Sequence, residues 1–114
     1  MNIGNFAKKP ELIKIDITDP DIVTNYNGEV SFWLYDSVDI NTYFNFFKSQ
    51  ADQDGSQLNE LLRNLILDEQ GNKAILEGNV LPVDLAIAAI TAINERLGKS
   101  KTKTSIPESG NQQD

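Results

Sequence analysis

Apolar and polar residues alternate in two stretches near the start of the chain. In residues 11–18 one side of the alternation holds three isoleucines, which are Ile13, Ile15 and Ile17. In residues 29–35 one side holds Val30, Phe32 and Leu34, and the other holds Ser31, Trp33 and Tyr35. Successive side chains of a strand point to opposite faces, so this period of two predicts strands at about 11–18 and 29–35.

The residues between these stretches predict turns. Pro20, flanked by Asp19 and Asp21, lacks the amide proton that a strand ladder needs and should end the first strand. The pair Asn27-Gly28 is typical of a tight hairpin turn, because both residue types accept positive φ. The second strand should therefore pair either with residues 22–26 or with the first strand.

The spacing of apolar residues changes to a helical one after residue 38. Asp39 is suited to cap a helix that ends before Asp52. Four apolar side chains share one face of this helix, and they are Ile40, Tyr43, Phe44 and Phe47. Phe46 falls off that face.

Two further helices are predicted. Ser56 is suited to cap the first, whose apolar stripe consists of Leu58, Leu61, Leu62, Leu65 and Ile66. Gly71 and Asn72 supply a turn, and Pro82 suits the first turn of the last helix, which Gly98 should end. The stripe of the last helix is Val83, Ala86, Ile87, Ile90, Ile93 and Leu97. A second side, formed by Ala88, Ala89 and Ala92, would let a neighbour approach closely.

These elements predict an α+β fold in which an N-terminal β-hairpin or small antiparallel sheet packs on a bundle of about three helices. Residues 11–98 should form a single globular domain preceded by a flexible N-terminus at 1–10. Residues 99–114 are rich in polar residues, and Ile106 is their one large apolar residue. We expect this tail to be disordered, because it has too little apolar surface to offset the entropy of ordering.

The composition narrows the range of functions. The chain has no cysteine and no histidine, which removes disulfides, thiolate metal sites and imidazole-activated nucleophiles. Its formal net charge is −7, which opposes non-specific binding to nucleic acid. No stretch is apolar and long enough to span a membrane, and the first residues lack a secretory h-region. A cytoplasmic protein without an enzymatic role is therefore expected.

The acidic positions do not form a recognisable catalytic or metal site. The run from Asp52 to Gly55 invites a calcium-loop interpretation, but with Gly55 at the sixth position the twelfth falls on Leu61 where a glutamate is required. Pairs such as Asp36 with Asp39 flank turns and helix starts, where carboxylates act as caps. We expect neither a cofactor nor a metal.

Aromatic residues are dense between positions 32 and 47. The simpler interpretation is a hairpin packed on the first helix. The functional interpretation is an exposed apolar patch that docks a partner, since rigid aromatic side chains are favoured interface anchors. Both interpretations can hold for different members of the group.

The order of these features resembles the tail assembly chaperones of long-tailed bacteriophages. The resemblance covers residues 29–99 and rests on a strand with Trp33, the start Asp39-Ile-Asn-Thr-Tyr-Phe44, the leucine-rich helix before Asp68-Glu-Gln-Gly71, and the ending Ala92-Ile-Asn-Glu-Arg-Leu97-Gly98. The chain departs from the family where Leu97 stands in place of an asparagine before the glycine, and its first helix is richer in phenylalanine.

The resemblance implies a non-catalytic protein of the host cytoplasm, absent from the mature virion, that coats the tape measure protein until tail tube subunits polymerise around it. The apolar contacts expected for the partner are Trp33, Tyr35, Phe46, Ala88 and Ala92. The family also implies a ribosomal slip site near Gly98 and Lys99, which would yield a longer product that recruits the tail tube protein. Self-association is left open.

One alternative comes from a different class of protein. Residues 99–114 hold three lysines and two acids, so the first 98 residues carry a net charge of −8. Such an acidic body favours a nucleic-acid mimic that inhibits a DNA-binding protein of the host or of its defence.

Overall fold

The computed structural model describes residues 2–97, which form an α+β fold. The predicted tail and the positions Gly98 and Lys99 lie outside the described residues. The elements, in chain order, are a short 3-10 helix (Ile3–Phe6), β1 (Leu12–Ile17), α1 (Pro20–Asn25), β2 (Val30–Tyr35), α2 (Ile40–Ala51), α3 (Gly55–Leu65) and α4 (Val83–Leu97).

The two strands form an antiparallel sheet, so the pairing of β2 with β1 is confirmed. Ile15 lies opposite Phe32, and Ile13 lies opposite Leu34. Phe32 and Leu34 are buried, whereas Ser31 and Tyr35, on the other face of β2, are exposed. Beyond β2, the amide of Trp33 donates to the carbonyl oxygen of Leu67 at 2.9 Å, and that of Leu67 donates back at 2.8 Å. The inner face of the sheet therefore contributes to the core.

The segment between the strands differs from the prediction. Residues 20–25 form a helix, which Asp19 caps by accepting a hydrogen bond from the amide of Asp21 at 2.9 Å. Pro20 occupies the first turn, where a missing amide proton costs nothing. Asn27 and Gly28 have positive φ angles of 60° and 149°, but they connect α1 to β2 and make no two-residue hairpin. The alternative pairing of β2 with residues 22–26 is therefore wrong.

α3 and the turn after it also differ in detail. Asp54, and not Ser56, caps α3 by accepting from the amide of Gln57 at 3.1 Å. The helix ends at Leu65, and Leu67 is extended because it pairs with Trp33. The leucine stripe is confirmed as core, since its members are buried or half-buried, and they are Leu58, Leu61, Leu62, Leu65 and Ile66.

The core joins the sheet to all four helices. Its fully buried large side chains are Leu34 of β2, Phe46 of α2 and Ile93 of α4. One polar pair braces α2 against α4: the side-chain amide of Gln50 donates to Asn94 at 3.0 Å, and that of Asn94 donates to Gln50 at 2.7 Å. This reciprocal pair links the two helices on the side of α2 that carries Phe46.

Candidate partner-binding surfaces

α2 turns its main apolar stripe outward. Ile40 and Phe44 are 65% and 61% exposed, and Tyr43 and Phe47 are half-buried. The ring of Tyr43 lies 5.9 Å from that of Phe44 and 4.7 Å from that of Phe47, measured between centroids. We call the surface formed by Ile40, Tyr43, Phe44 and Phe47 of α2, together with the neighbouring Phe6, the aromatic face.

A depression of about 570 Å³ joins the N-terminal segment to α2. Phe6, Ile40 and Tyr43 line it together with Leu97 at the end of α4. Phe6 is mostly exposed, so the side chains across the depression leave apolar surface open to water. Exposed apolar patches on a protein surface often mark sites of interaction with a partner.

A capping hydrogen bond and an ion pair hold α2 at its two ends. The carboxylate of Asp39 accepts from the amide of Thr42 at 2.7 Å, and this hydrogen bond lowers the pKa of Asp39. In the last turn, Lys48 donates to Asp52 at 2.7 Å, which raises the pKa of the lysine. Both interactions therefore stabilise the helix that carries the aromatic face.

Phe46 does not belong to an exposed surface, so the expectation that it is one of the exposed apolar residues is wrong. It is completely buried, on the face of α2 that also buries Ser49. The face that carries Phe46 packs on α3 and the hydrophobic core, and Gln50 on the same side bonds to Asn94 of α4, so the face with more apolar residues is left outside.

Trp33 and Tyr35 lie apart from the aromatic face. Both project from the outer face of β2, where Trp33 is half-buried and Tyr35 is exposed. The turn at residues 68–72 leans over this face, since a Cβ added at Gly71 would stand 3.3 Å from the hydroxyl of Tyr35. Part of this outer surface is therefore already covered by the chain itself.

Ala88 and Ala92 are half-buried and line a different depression, a groove of about 460 Å³ between the end of β1, α1 and α4. Ile87, which the stripe predicts as core, lies beside them and is 59% exposed. The rim of this groove carries five carboxylates, which are those of Asp16, Asp19, Asp21, Asp84 and Glu95. We call this depression the acidic groove.

One end of the acidic groove is held by Tyr26. Its hydroxyl donates to Asp84 at 2.7 Å, which lowers the pKa of the carboxyl and raises that of the phenol. The backbone amide of Leu85 donates to the same carboxylate oxygen at 2.8 Å. Both hydrogen bonds therefore favour the charged form of Asp84.

The five residues predicted as partner contacts thus separate into three places: the outer face of β2, the core and the acidic groove. The residues that the apolar stripes place in the core, and that the structure exposes, are Ile40, Phe44, Val83 and Ile87. For α2 the sequence itself indicated the ambiguity. Phe46 and the apolar stripe lie on different sides of the helix, and only one of these sides can face the core.

The fold and its surfaces define an acidic α+β domain with an exposed apolar helix face and a separate groove rimmed by carboxylates. Within residues 2–97 no helix combines the length and apolar character needed to cross a bilayer. In the same part of the chain, no three acidic side chains are grouped so as to hold a metal ion. No protein-family model, curated protein or solved structure matches the chain.

Proposed function

We propose that the protein binds an apolar helical segment of a partner without catalysing a reaction, and that this partner is the tape measure protein of a long-tailed phage. The observation that supports binding is the aromatic face, in which Ile40 and Phe44 stand open to water on a helix with firmly held ends. The resemblance described above supports the identity of the partner.

The physical basis is the burial of apolar surface. A Phe or Ile side chain contributes about 1.5–3 kcal/mol when it passes from exposure to full burial. The depression between Phe6 and α2 offers a partner helix a concave seat, the arrangement by which amphipathic helices dock in grooves. Several such contacts along a long apolar helix would keep it from aggregating.

The acidic character of the chain fits the same role. A net charge of −7 on each bound copy repels neighbouring complexes and keeps them dispersed. In this proposal the protein acts in the host cytoplasm, leaves before the virion is complete, and has a minor longer form that recruits the tail tube protein.

The test is co-expression with fragments of the tape measure protein from the same genome. The unaltered chain should keep at least one otherwise insoluble helical fragment in solution. A variant with Ile40→Ser and Phe44→Ser should lose most of this rescue while remaining folded, because both side chains are largely exposed.

The matched control is Leu76→Ser, which removes a side chain of similar exposure, 64%, outside the aromatic face. This variant should rescue the fragment as well as the unaltered chain does. No rescue of any fragment by the unaltered chain would contradict the proposed partner. Full rescue by the folded double variant would contradict the assignment of the aromatic face.

A further inference from the structure

We propose that the acidic groove is a second binding surface, and that its occupant is a cationic amphipathic helix of a partner protein. The proposal does not rest on the tape measure protein being the partner of the aromatic face. It rests on three properties of the groove: its shape along α4, its small apolar floor and the charge of its rim.

The groove follows one face of α4 for most of the helix. The residues of α4 that line it recur at helical spacing, and they are Asp84, Ile87, Ala88, Thr91, Ala92 and Glu95. From the first to the last of these the helix rises about 16 Å, which equals the length of three turns of a partner helix. α1 borders this face at one side and leaves Ile87 and Thr91 exposed.

The floor suits close approach of a helix. Ala88 and Ala92 have small side chains, and Ile87 rises beside them as an exposed apolar anchor. Helix axes come nearer to each other where the contact residues are small. The occupant therefore needs a narrow apolar stripe of its own.

The rim determines the charge of the occupant. Five carboxylates surround the floor, and no lysine or arginine is among the residues that line the groove. Among the described residues, Asp16 is the one rim carboxylate within 4.0 Å of a cation, being 3.9 Å from Lys14. Like charges held around one groove favour a partner that brings lysine or arginine on both sides of its stripe.

The two surfaces differ in charge, which separates their occupants. Lys8, Arg96 and Asp36 line the depression at the aromatic face, so its charged groups have both signs. The charged groups that line the acidic groove are all carboxylates. A strongly cationic helix is therefore expected at the groove and not at the aromatic face.

The experiment uses the full chain and two synthetic helical peptides. One peptide carries an Ala/Leu stripe flanked by lysines, and the other replaces every lysine with glutamine. Fluorescence anisotropy should show binding of the lysine peptide only, and amide NMR shifts should be largest at Ile87, Ala88 and Thr91. Equal binding of the two peptides, or shifts centred on α2, would overturn the proposal.

The variants test the rim and the floor separately. Asp21→Asn with Glu95→Gln should weaken the binding of the lysine peptide on the order of fivefold. The control pair, Glu69→Gln with Glu77→Gln, removes the same charge outside the groove and should change binding less than about twofold. Ile87→Ser should also weaken binding, whereas Leu76→Ser should not. The proposal would be overturned if the control pair weakened binding as much as the rim pair, or if Leu76→Ser weakened it as much as Ile87→Ser.

The lysines of the chain's own tail could occupy the acidic groove in place of a partner helix, and a further experiment tests this alternative. In the full chain without peptide, Lys99, Lys101 and Lys103 are changed to glutamine, and the amide spectra are compared. Unchanged resonances for Ile87, Ala88 and Thr91 would support a partner helix as the occupant. Shifts confined to these residues would show that the tail binds there and would overturn the proposal.

Discussion

The hydroxyl of Tyr26 donates a hydrogen bond of 2.7 Å to the carboxylate of Asp84, although 58 residues separate the two in sequence. The bond ties the end of α1 to the first turn of α4. It also stabilises the charged form of Asp84 at one end of the acidic groove, because it lowers the pKa of this carboxyl. A contact between two distant turns thus supports both the fold and the electrostatics of a candidate binding surface.

Tyr26→Phe should raise the pKa of Asp84 toward its ordinary value, 3.8, because the phenolic donor is the largest cause of the shift. Part of the shift should remain, since the amide of Leu85 still donates to this carboxylate. The measurement is an NMR pH titration of the Asp84 carboxyl carbon, with Asp39 as the internal control. An unchanged pKa of Asp84 would contradict the hydrogen bond.

The same variant should change how stability depends on pH. The folded-state pKa of Asp84 is lowered, so its stabilisation is present above the unfolded-state pKa and is lost as pH falls through the folded-state value. The pKa of Tyr26 is raised, so its contribution is lost as pH rises through the folded-state value above 10.0. Urea unfolding should therefore separate the unaltered chain from Tyr26→Phe at neutral pH and less so at either extreme.

Two phenylalanines of α2 should differ sharply in their effect on stability. Phe46→Ala should lower the free energy of unfolding by about 3–5 kcal/mol, because it opens a cavity at a completely buried position. Phe44→Ala, at an exposed position of the same helix, should change it by less than about 0.5 kcal/mol. Urea unfolding measures both. Similar losses in the two variants would contradict the difference in burial between Phe46 and Phe44.

Gly71 and Gly78 form a matched pair for a test of the turn over β2. Their φ angles are 86° and 88°, so alanine at either position should cost about 1–2 kcal/mol. Gly71→Ala should cost more, because its Cβ would stand 3.3 Å from the Tyr35 hydroxyl, whereas nothing lies within 4 Å at Gly78. Adding Tyr35→Phe should reduce the excess. Equal costs for the two alanine variants would contradict the packing of the turn on Tyr35.

Salt should distinguish the proposed function from the acidic mimic. Binding of an apolar helix at the aromatic face should change little between about 0.05 M and about 0.5 M salt, since exposed charges are screened and apolar contacts are not. A nucleic-acid mimic should lose its partner over the same range. The measurement is the amount of co-expressed tape measure fragment that stays bound to the immobilised chain after washing at each salt concentration, with the variant Ile40→Ser and Phe44→Ser as the negative control.

Local patterns were sufficient for much of the fold. The alternation around Ile15 and Phe32 predicts both strands, because a period of two reflects the geometry of a single strand. Asp39 predicts the start of α2, because a cap is made with amides only three residues away. The leucine stripe of α3 predicts a buried face, because it leaves no competing apolar side.

Other features depended on contacts between distant parts of the chain. Pro20 is compatible with a turn or with the first turn of a helix, and the bond from Tyr26 to Asp84 favours the helix. α2 has two apolar candidates for its inner side. Packing on α3 and the core, together with the pair of Gln50 and Asn94, places Phe46 inward, and Ile40 and Phe44 are left outside. Helical periodicity measures only how side chains are arranged around one axis. The direction in which that axis is rotated is decided by the neighbour it packs against, and only the tertiary structure supplies that neighbour.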